Sequence, residues 1–249
     1  MKKASHVSGE LFQRQYPQIW DYAYFPLRNI KKLVRNFADS ISTKHYSILD
    51  MGCGNKPYKF LFRHYKEYIW SDVVPGPFVD AICDNADLAF EDNRFDYLIC
   101  NQVLEHTRDL HGAVDEIQRV VKKDWTILVS VPFLYPEHAC PWDYWRFTRF
   151  WIEELFKNFE IISIKNDTSY FITLWTFVNM LFTKWKIIRI IFSPLFVVIN
   201  ILSLTLDSLV KLFYNVLWLK RVAFVKNAIE NTYNQFTLNY VILLKNSKK

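Results

Sequence analysis

The sequence predicts an α/β protein built on a doubly wound sheet of seven strands, with an apolar helical insertion before the last strand. Three observations carry this prediction. A short apolar segment that ends in an acidic residue runs into a glycine-containing turn at residues 47–58. Segments of strand periodicity then alternate with segments of helical periodicity up to residue 167. About seventy residues separate the last two predicted strands, where a short hairpin would be enough.

Length and composition set the domain organisation. At 249 residues the chain suits one domain of ordinary size plus an insertion. Its apolar content of 51% and aromatic content of 18% exceed what a soluble α/β core needs. The net charge of +6 comes from the C-terminal third, because residues 168–249 carry ten Lys and Arg against two acidic residues. We therefore expect that third to form a basic, apolar surface.

The cysteines and the N-terminus indicate a reducing compartment. Cys53, Cys83, Cys100 and Cys140 show no CxxC or Cys/His ligand spacing, so we expect free thiols and no metal. The first ten residues, MKKASHVSGE, are mostly polar and lack the apolar core of a signal peptide. The catalytic part is therefore expected on the cytoplasmic side of the membrane.

The turn at residues 47–58, S-I-L-D-M-G-C-G-N-K-P-Y, has the composition of a cofactor-binding loop. Asp50 stands at the carboxyl end of a buried strand, and Gly52 and Gly54 allow the backbone to fold tightly beside a ligand. Residues Pro57–Tyr65 follow with helical spacing, and proline is tolerated in a first helical turn. We expect a helix here, with a ligand against its N-terminus.

The glycine spacing indicates the class of ligand. A dinucleotide fingerprint needs a third glycine three residues after the second, and position 57 is proline. An acidic residue before G-x-G suits a ligand with an ammonium group and no phosphate, because Asp50 can accept a charge-assisted hydrogen bond. I-L-D-M-G-C-G resembles the first motif of the class I S-adenosylmethionine (SAM) dependent methyltransferases, except that Lys56 replaces the third glycine that many members carry. The resemblance implies a Rossmann-like fold and SAM as the cofactor, bound by Asp50, Gly52 and Gly54.

Two more acidic residues end predicted strands. Tyr68–Asp72 is predicted as the second strand, and the Asp72 carboxylate can accept hydrogen bonds from both ribose hydroxyls. A solvated acid in a turn is the alternative for this residue. Phe78–Asp84 is predicted as the third strand. By the resemblance, Asp84 meets the adenine amino group, with the backbone N–H of Asn85 nearby.

The fourth predicted strand, Phe95–Cys100, leads into N-Q-V-L-E-H. Ligands of doubly wound sheets lie at the carboxyl ends of the strands, so Asn101, Glu105 and His106 are expected near the methyl donor. A loop histidine with satisfied hydrogen bonds is the alternative for His106. The later elements are a helix, a strand, a second helix and two more strands, at Asp109–Lys123, Trp125–Val131, Thr148–Phe156, Phe159–Lys165 and Phe236–Lys245.

The loop Glu137–Thr148, E-H-A-C-P-W-D-Y-W-R-F-T, follows the fifth strand and should cover the methyl donor. It resembles the H…DYxRFT signature of methyltransferases encoded with bacterial surface-saccharide and lipid pathways, within the type 11-like group. His138 is the candidate base, Asp143 orients it or the substrate, and Arg146 can hold an acidic group. The alternative is that Asp143 and Arg146 pair to pin a lid while the aromatic residues pack.

The insertion contains two apolar stretches, 171–182 and the uncharged 190–206, with Lys184, Lys186 and Arg189 between them. Polar residues recur every three or four positions as a narrow stripe, at Asn200, Ser203, Asp207, Lys211 and Asn215. Since the chain must return to its sheet, any membrane crossings are even in number. We expect the insertion to lie in the interface of an anionic membrane, with a spanning pair or a dimer contact as alternatives.

These features predict four segments: an N-terminal helical cap (1–44), a SAM-binding core (45–167), a hydrophobic basic insertion (168–235), and a final core strand with its tail (236–249). The predicted function is methyl transfer from SAM to a small-molecule, saccharide or lipid-linked acceptor at the membrane surface. A nicotinamide-dependent oxidoreductase and a non-catalytic scaffold on the same fold stay open as alternatives. Nucleic-acid binding is not expected, because aliphatic residues dilute the basic ones.

Overall fold

A computed structural model describes residues 11–21, 23–52, 54, 56–181, 191–219 and 235–247. Seven strands form one sheet with the order β3-β2-β1-β4-β5-β7-β6. The strands are β1 Ser47–Met51, β2 Glu67–Asp72, β3 Ala81–Ile82, β4 Phe95–Asn101, β5 Val121–Pro132, β6 Glu160–Asn166 and β7 Asn239–Lys245. The helices of the described residues that we label are α1 Tyr24–Ser40, α2 Leu110–Val120, α3 Arg149–Leu155, α4 Tyr170–Leu181 and α5 Ser193–Leu219.

The sheet order confirms the predicted doubly wound fold. β1 pairs in parallel with both β2 and β4, so the strand order reverses beside β1. β7 pairs with β5 in the antiparallel sense, from Thr126↔Lys245 to Pro132↔Asn239. In a doubly wound sheet, ligands bind outside the carboxyl ends of the strands at the point of reversal. The fold therefore places its ligand crevice beyond the ends of β1, β2 and β4.

The central strands are buried on both faces, as expected for parallel strands covered by other elements. All five residues of β1 are buried, as are the first six of β4. The helix α2 packs its predicted apolar face into the same core, and Asp109 caps it by accepting a hydrogen bond from the Gly112 N–H at 3.0 Å. Thr148 caps α3 in the same way, accepting from the Trp151 N–H at 3.2 Å, which confirms the predicted cap.

One predicted element is wrong. Residues Pro57–Tyr65 do not form an α-helix, and a single 3₁₀ turn at Lys59–Leu61 takes its place. Lys56 adopts a left-handed backbone with φ of 54°, and the backbone of Phe62 is extended. The stretch between these two residues is therefore too short for more than a single helical turn. A ligand therefore meets the glycine turn itself here, without an α-helix N-terminus behind it. The third strand is also shorter than predicted, since β3 contains two residues.

The chain divides into two compact units. The first contains Lys31–Lys165 and the chain from Asn239, and therefore nearly all of the sheet. The second contains Phe12–Ile30 and Asn166–Leu238, with α4 and α5. Within the described residues, Ser193–Phe213 of α5 is the one stretch long and apolar enough to cross a membrane, and 28% of it is buried.

Polar side chains join the helices of the second unit. The Asn179 side chain of α4 donates to Asn200 Oδ1 of α5 at 3.0 Å, and Asn200 donates to the Ile19 carbonyl at 2.7 Å. Three residues of the predicted polar stripe of α5, Asn200, Ser203 and Asp207, are buried, whereas Lys211 is exposed and donates a 2.7 Å hydrogen bond to Asp207. Positions 214–219 of the helix, including Asn215, lie outside the described side chains, as do Lys184, Lys186 and Arg189.

A cluster of buried hydrogen bonds closes the two ends of the insertion, and we call it the neck. Asp167 Oδ1 accepts from the hydroxyls of Thr168 and Thr237, each at 3.0 Å. The Leu238 N–H donates to the Thr168 hydroxyl at 2.9 Å. All of these groups are buried, so the residues that enter the insertion are bonded directly to those that leave it.

Candidate active site

A cavity of about 690 Å³ lies at the carboxyl ends of the central strands. Ligand pockets usually have volumes of about 300–1,000 Å³, so it can accept a cofactor together with part of a substrate. Its described lining comes from the turns after β1, β2 and β4, from the segment after β3, and from the loop after β5. The lining residues used below are Gly52, Asp72, Asp84, Asn85, Asp87, Gln102, Val103, His106, Thr107, Arg108, Asp109, Ala139, Trp142 and Tyr144.

The glycine turn forms one wall of the cavity. Gly52 has a φ of 64°, and a Cβ built there would collide with both γ-methyl groups of Val103, so only glycine fits. The Gly54 N–H donates to Asp72 Oδ2 at 3.0 Å, and the Val74 N–H donates to Asp72 Oδ1 at the same distance. The predicted ribose acid is thus held at the cavity wall by backbone donors on two loops. Open space beside Gly54 leaves room for a ligand to approach the backbone.

Asp50 is a buried acid at the end of β1, two residues before Gly52. Its side chain is hydrogen-bonded by the Tyr68 hydroxyl at 2.9 Å, and the residue is 6% exposed. Burial, with a smaller effect of the nearby Asp72 charge, raises the pKa of Asp50 to about 7 against the lowering effects of Tyr68 and Lys56. A cationic ligand would stabilise the ionised form of this buried carboxyl, because the charge of the ligand offsets the free-energy cost of ionising Asp50.

The remaining predicted cofactor residues differ in position. Asp84 lines the cavity and accepts a hydrogen bond from the Ala86 N–H at 2.9 Å. Asn85 also lines it, with its amide donating to the Thr107 hydroxyl at 3.1 Å. Asn101 bonds to the Ser130 hydroxyl and lies outside the described lining. Its neighbour Gln102, which the sequence analysis missed, lines the cavity from a left-handed backbone with φ of 57°.

Two histidines and a buried glutamate meet beside the cavity. The His106 and His138 rings are 4.8 Å apart between centroids, in an edge-to-face arrangement. Glu105 Oε1 lies 3.9 Å from His138 Nε2 and 4.0 Å from His106 Nε2. Glu105 is 0% exposed, and burial raises the pKa of its carboxyl to about 8. Burial also lowers the pKa of His138, so its imidazole is neutral at physiological pH.

The loop after β5 is held by one arginine. Arg146 donates two hydrogen bonds of 2.7 Å to the two oxygens of Asp143 and three more to the carbonyls of Tyr135, Pro136 and Trp145. All five N–H groups of its guanidinium are therefore used within the loop. The hydrogen bonds from Arg146 lower the pKa of Asp143 to about 2 despite its burial. This arrangement matches the alternative in which the pair pins a lid.

The same loop is joined to the strand end after β4. The N–H groups of Tyr144 and Trp145 donate to the Glu105 carbonyl at 2.8 and 3.3 Å, and the Trp145 indole donates to the Thr107 carbonyl at 2.9 Å. The His138 N–H donates to Asp143 Oδ2 at 2.8 Å. The structure thus brings together all four predicted catalytic residues, which the sequence separates by up to forty positions: His106, His138, Asp143 and Arg146.

The charges on the cavity wall favour a cationic ligand. Four aspartates contribute to the described lining, at positions 72, 84, 87 and 109, against one arginine, Arg108. A pyrophosphate would be repelled by this wall, whereas the ammonium and sulfonium of SAM would be attracted to it. Gly52 and Asp72 lie on this wall, whereas Asp50 is buried two residues before Gly52 and outside the described lining.

Fold and site together define a class I SAM-dependent methyltransferase. The sequence model described as "Methyltransferase domain" matches residues 15–166, more than half of the chain, so the protein belongs to this family. Its cofactor is SAM, as the sequence analysis predicted. An uncharacterized protein of Methanocaldococcus jannaschii is 31% identical over 132 residues, which cover 45% of this chain and 57% of that relative. The chain thus spans a little over half the length of this curated relative.

Solved structures share the fold at low sequence identity. A SAM dependent methyltransferase from Archaeoglobus fulgidus matches with a TM-score of 0.54 and 13% identity, over 94% of this chain and 97% of that one. The cyclase SpnF matches with a TM-score of 0.54 and 15% identity, over 90% and 82%. The 1,6-didemethyltoxoflavin-N1-methyltransferase of Burkholderia thailandensis, solved with S-adenosylhomocysteine, has a TM-score of 0.50 and 12% identity, over 91% and 84%. These likenesses concern the fold.

Proposed function

We propose that this protein methylates a hydroxyl group of a saccharide or lipid-linked acceptor at the cytoplasmic face of a membrane. The single observation that carries it is the surface of α5, on which large apolar side chains are exposed while Asn200, Ser203 and Asp207 are buried, in a chain that belongs to a methyltransferase family. Soluble acceptors do not require such a surface.

SAM supplies an activated methyl group on a positively charged sulfur. Asp50 is the proposed partner of its ammonium group, and the burial of this carboxylate, which the Tyr68 hydrogen bond offsets only in part, supports that role. Asp72, fixed by the N–H groups of Gly54 and Val74, is the proposed partner of the ribose hydroxyls. Asp84 and Asn85 are proposed for the adenine end, with Gln102 in the place expected for Asn101.

At the acceptor end, His138 is the proposed proton acceptor. Its ring is neutral because of burial, and Asp143 lies 3.5 Å from its Nδ1, so the carboxylate can orient the ring. Arg146 acts through Asp143, because all its donors are used within the loop. Most of the remaining rate enhancement in an in-line displacement comes from alignment and exclusion of water. The loop pinned by Arg146 supports both by covering this end of the site.

The helix α5 exposes many apolar side chains and buries polar ones, unlike a typical helix of a soluble protein. Its polar residues Asn200 and Ser203 are fully buried, whereas large aliphatic side chains are about half exposed. Exposed hydroxyls on the same helix are also satisfied internally, since Thr205 donates to the Ile201 carbonyl and Ser208 to the Leu204 carbonyl. The exposed apolar residues are Leu195, Val198, Ile201, Leu202, Leu209, Leu212 and Phe213.

Lipid is the proposed partner of this surface. Lys184, Lys186 and Arg189 precede the helix in sequence, and basic residues beside an apolar surface gain about 1 kcal/mol each at an anionic leaflet. The helix α4, at 12 residues, is too short to cross a bilayer, which needs about 20. We therefore propose that the insertion lies in the membrane interface and does not span the bilayer.

Co-sedimentation with liposomes tests the membrane part. The protein should sediment with vesicles containing phosphatidylserine, and high salt should release it in part, since salt screens charge but not apolar burial. Changing Lys184, Lys186 and Arg189 to Glu should reduce binding, whereas a charge-matched change of Arg63, Lys66 and Lys123 to Glu should not. Resistance to alkaline carbonate would show a spanning insertion. A soluble dimer that ignores vesicles and buries α5 would refute the membrane proposal.

Transfer of labelled methyl groups tests the chemical part. The purified protein with tritiated SAM should label a lipid-linked saccharide fraction, and calorimetry should detect SAM but not NADH. NADH binding would instead support the oxidoreductase alternative. SAM binding without any transfer to saccharide, lipid or small-molecule acceptors would support the non-catalytic scaffold. That alternative is worth testing because proteins of one fold can have unrelated functions.

A further inference from the structure

Glu105 is a buried acid whose carboxyl oxygens have no hydrogen-bond partner on another described residue. It is 0% exposed. Leaving a buried polar group unpaired costs about 1–3 kcal/mol, and more for a charged one. Glu105 lies directly before His106, which lines the cavity, and an ion is one of the partners that can satisfy a buried group of this kind. The neighbours of Glu105 indicate what that partner is.

The two histidines next to Glu105 present lone pairs to it. His106 Nδ1 lies 2.8 Å from the Trp142 carbonyl, and His138 Nδ1 lies 3.2 Å from the Pro136 carbonyl. A carbonyl oxygen can only accept, so each Nδ1 carries the ring hydrogen and each Nε2 of the neutral ring is an acceptor. Both Nε2 atoms lie within 4.0 Å of Glu105 Oε1. Two imidazole acceptors and the Glu105 carboxyl, which accepts through both oxygens when ionised, therefore converge on one point.

The surroundings of the two rings match the outer shell of a metal site. Histidines that bind metals usually donate their other ring N–H to a backbone carbonyl or a carboxylate, which fixes the ring and its tautomer. Here both rings bond to backbone carbonyls, and Asp143 lies 3.5 Å from His138 Nδ1 and 4.0 Å from His106 Nδ1. Arg146 in turn holds Asp143 through two 2.7 Å hydrogen bonds, so the support is rigid.

We propose that Glu105, His106 and His138 bind a divalent transition-metal ion at the end of the cavity. One ligand atom from each of the three residues lies within 4.8 Å of the other two. Tetrahedral Zn²⁺ with bonds of about 2.1 Å separates its ligands by about 3.4 Å, so side-chain shifts of about 1 Å would close the site. Two imidazoles and one carboxylate suit Zn²⁺, Mn²⁺ or Fe²⁺ better than Mg²⁺ or Ca²⁺, which prefer oxygen ligands.

The proposal changes how the acceptor is activated, and this consequence rests on the proposed function. His106 lines the cavity, so the open coordination position would face the space where an acceptor hydroxyl lies. A bound cation lowers the pKa of a hydroxyl beside it, and the proton can then leave to solvent near neutral pH. His138 is then a proton acceptor in the metal-free protein and a metal ligand in the loaded one. This proposed metal site differs from the expectation drawn from the cysteine pattern, which was that the protein binds no metal.

Metal binding to the full-length protein tests the site without reference to activity. Chelator-treated protein is titrated with Zn²⁺ and separately with Co²⁺ at pH 7.5, followed by calorimetry and by the visible absorption of bound Co²⁺. One equivalent should bind per chain. Glu105→Gln and His138→Gln keep side-chain volume but weaken a ligand, and each should lower affinity by at least about a hundredfold. His111→Ala, an exposed histidine outside the cluster, is the matched control and should bind normally.

Circular dichroism and thermal unfolding check that each variant is folded, and a conservative His138→Asp variant, which restores a ligand, should recover part of the affinity. Stoichiometric binding lost in both Gln variants and kept in His111→Ala supports the site. No stoichiometric binding, or equal binding by all variants, overturns it. If metal binds as expected but no acceptor is methylated, the site stands and the proposed function fails. If metal binds as expected but methyl transfer is unaffected by chelator and by Glu105→Gln, the site stands, its role in activating the acceptor is refuted, and His138 acts as a base.

Discussion

Replacing Asp50 by Asn should stabilise the ligand-free protein while weakening its hold on SAM. The pKa of Asp50 is raised from 3.8 to about 7 by burial, so the folded state disfavours the ionised form that the unfolded chain adopts above pH 4. Each pKa unit is worth 1.36 kcal/mol, so the penalty is absent below about pH 4 and reaches about 4 kcal/mol above pH 7. Stability therefore falls as the pH rises through this window.

Asparagine removes the ionisation but keeps an oxygen that can accept from the Tyr68 hydroxyl, which is 2.9 Å from the carboxylate. At pH 5 only about 1.5 kcal/mol of the penalty is present, so Asp50→Asn should stabilise the protein by about 2.5 kcal/mol more at pH 8 than at pH 5. For a domain of this size that difference amounts to about 5–10 °C in Tm. Denaturant unfolding of both proteins at both pH values measures it directly.

The affinity for SAM should rise with pH, whereas the stability of the ligand-free protein falls. If the ammonium group binds the ionised carboxylate, wild-type affinity should fall about tenfold between pH 8 and pH 6, because binding then requires loss of a proton. Asp50→Asn should bind more weakly at pH 8 and show none of this dependence on Asp50. Asp115→Asn, an exposed acid on α2, is the control for loss of one charge. An equal stability change at both pH values would refute the argument from burial, and unchanged SAM affinity would refute the ammonium contact.

Three further outcomes are expected. Asp72→Ala should weaken SAM binding by about 1–3 kcal/mol in calorimetry, because it removes the proposed ribose acceptor, and unchanged affinity would remove that assignment. His138→Ala should lower turnover by about 10²–10⁴ with SAM affinity retained, whereas an equal loss in both would make it a lid residue. Gly52→Ala should destabilise the protein by about 1–3 kcal/mol and impair SAM binding, because the new methyl group collides with Val103 at a left-handed backbone position. Wild-type stability in denaturant unfolding and wild-type SAM affinity would contradict the close contact between Gly52 and Val103.

Much of the sheet was predictable from the sequence because burial on both faces leaves a clear pattern. β1 and β4 are continuous apolar runs, and α2 carries its apolar residues at helical spacing on the face that is buried. The acids that end β1 and β2 could be found because strand ends in a parallel sheet meet at one edge. Thr148 could be identified as a cap because its hydroxyl precedes a helical pattern.

The segment after the glycine turn could not be predicted in this way. Its spacing is helical, but Lys56 takes a left-handed backbone and Tyr58 and Phe62 are buried in the core, so tertiary packing outweighs local propensity. The orientation of Glu105 was equally inaccessible. Sequence places it beside His106 in a short turn, and only the folded loop after β5 brings His138 within 3.9 Å. The polar stripe of α5 was visible in the sequence, but not the direction in which it faces.

The neck gives the insertion the character of a removable cassette. Side-chain hydrogen bonds join Asp167, Thr168 and Thr237. The chain that leaves β6 and the chain that returns toward β7 are therefore bonded to each other at the neck. The pairing of β7 with β5 lies entirely outside residues 169–236, whereas Asn200 within that range donates to the Ile19 carbonyl, so an exchange of the insertion would have to include its N-terminal partner segment.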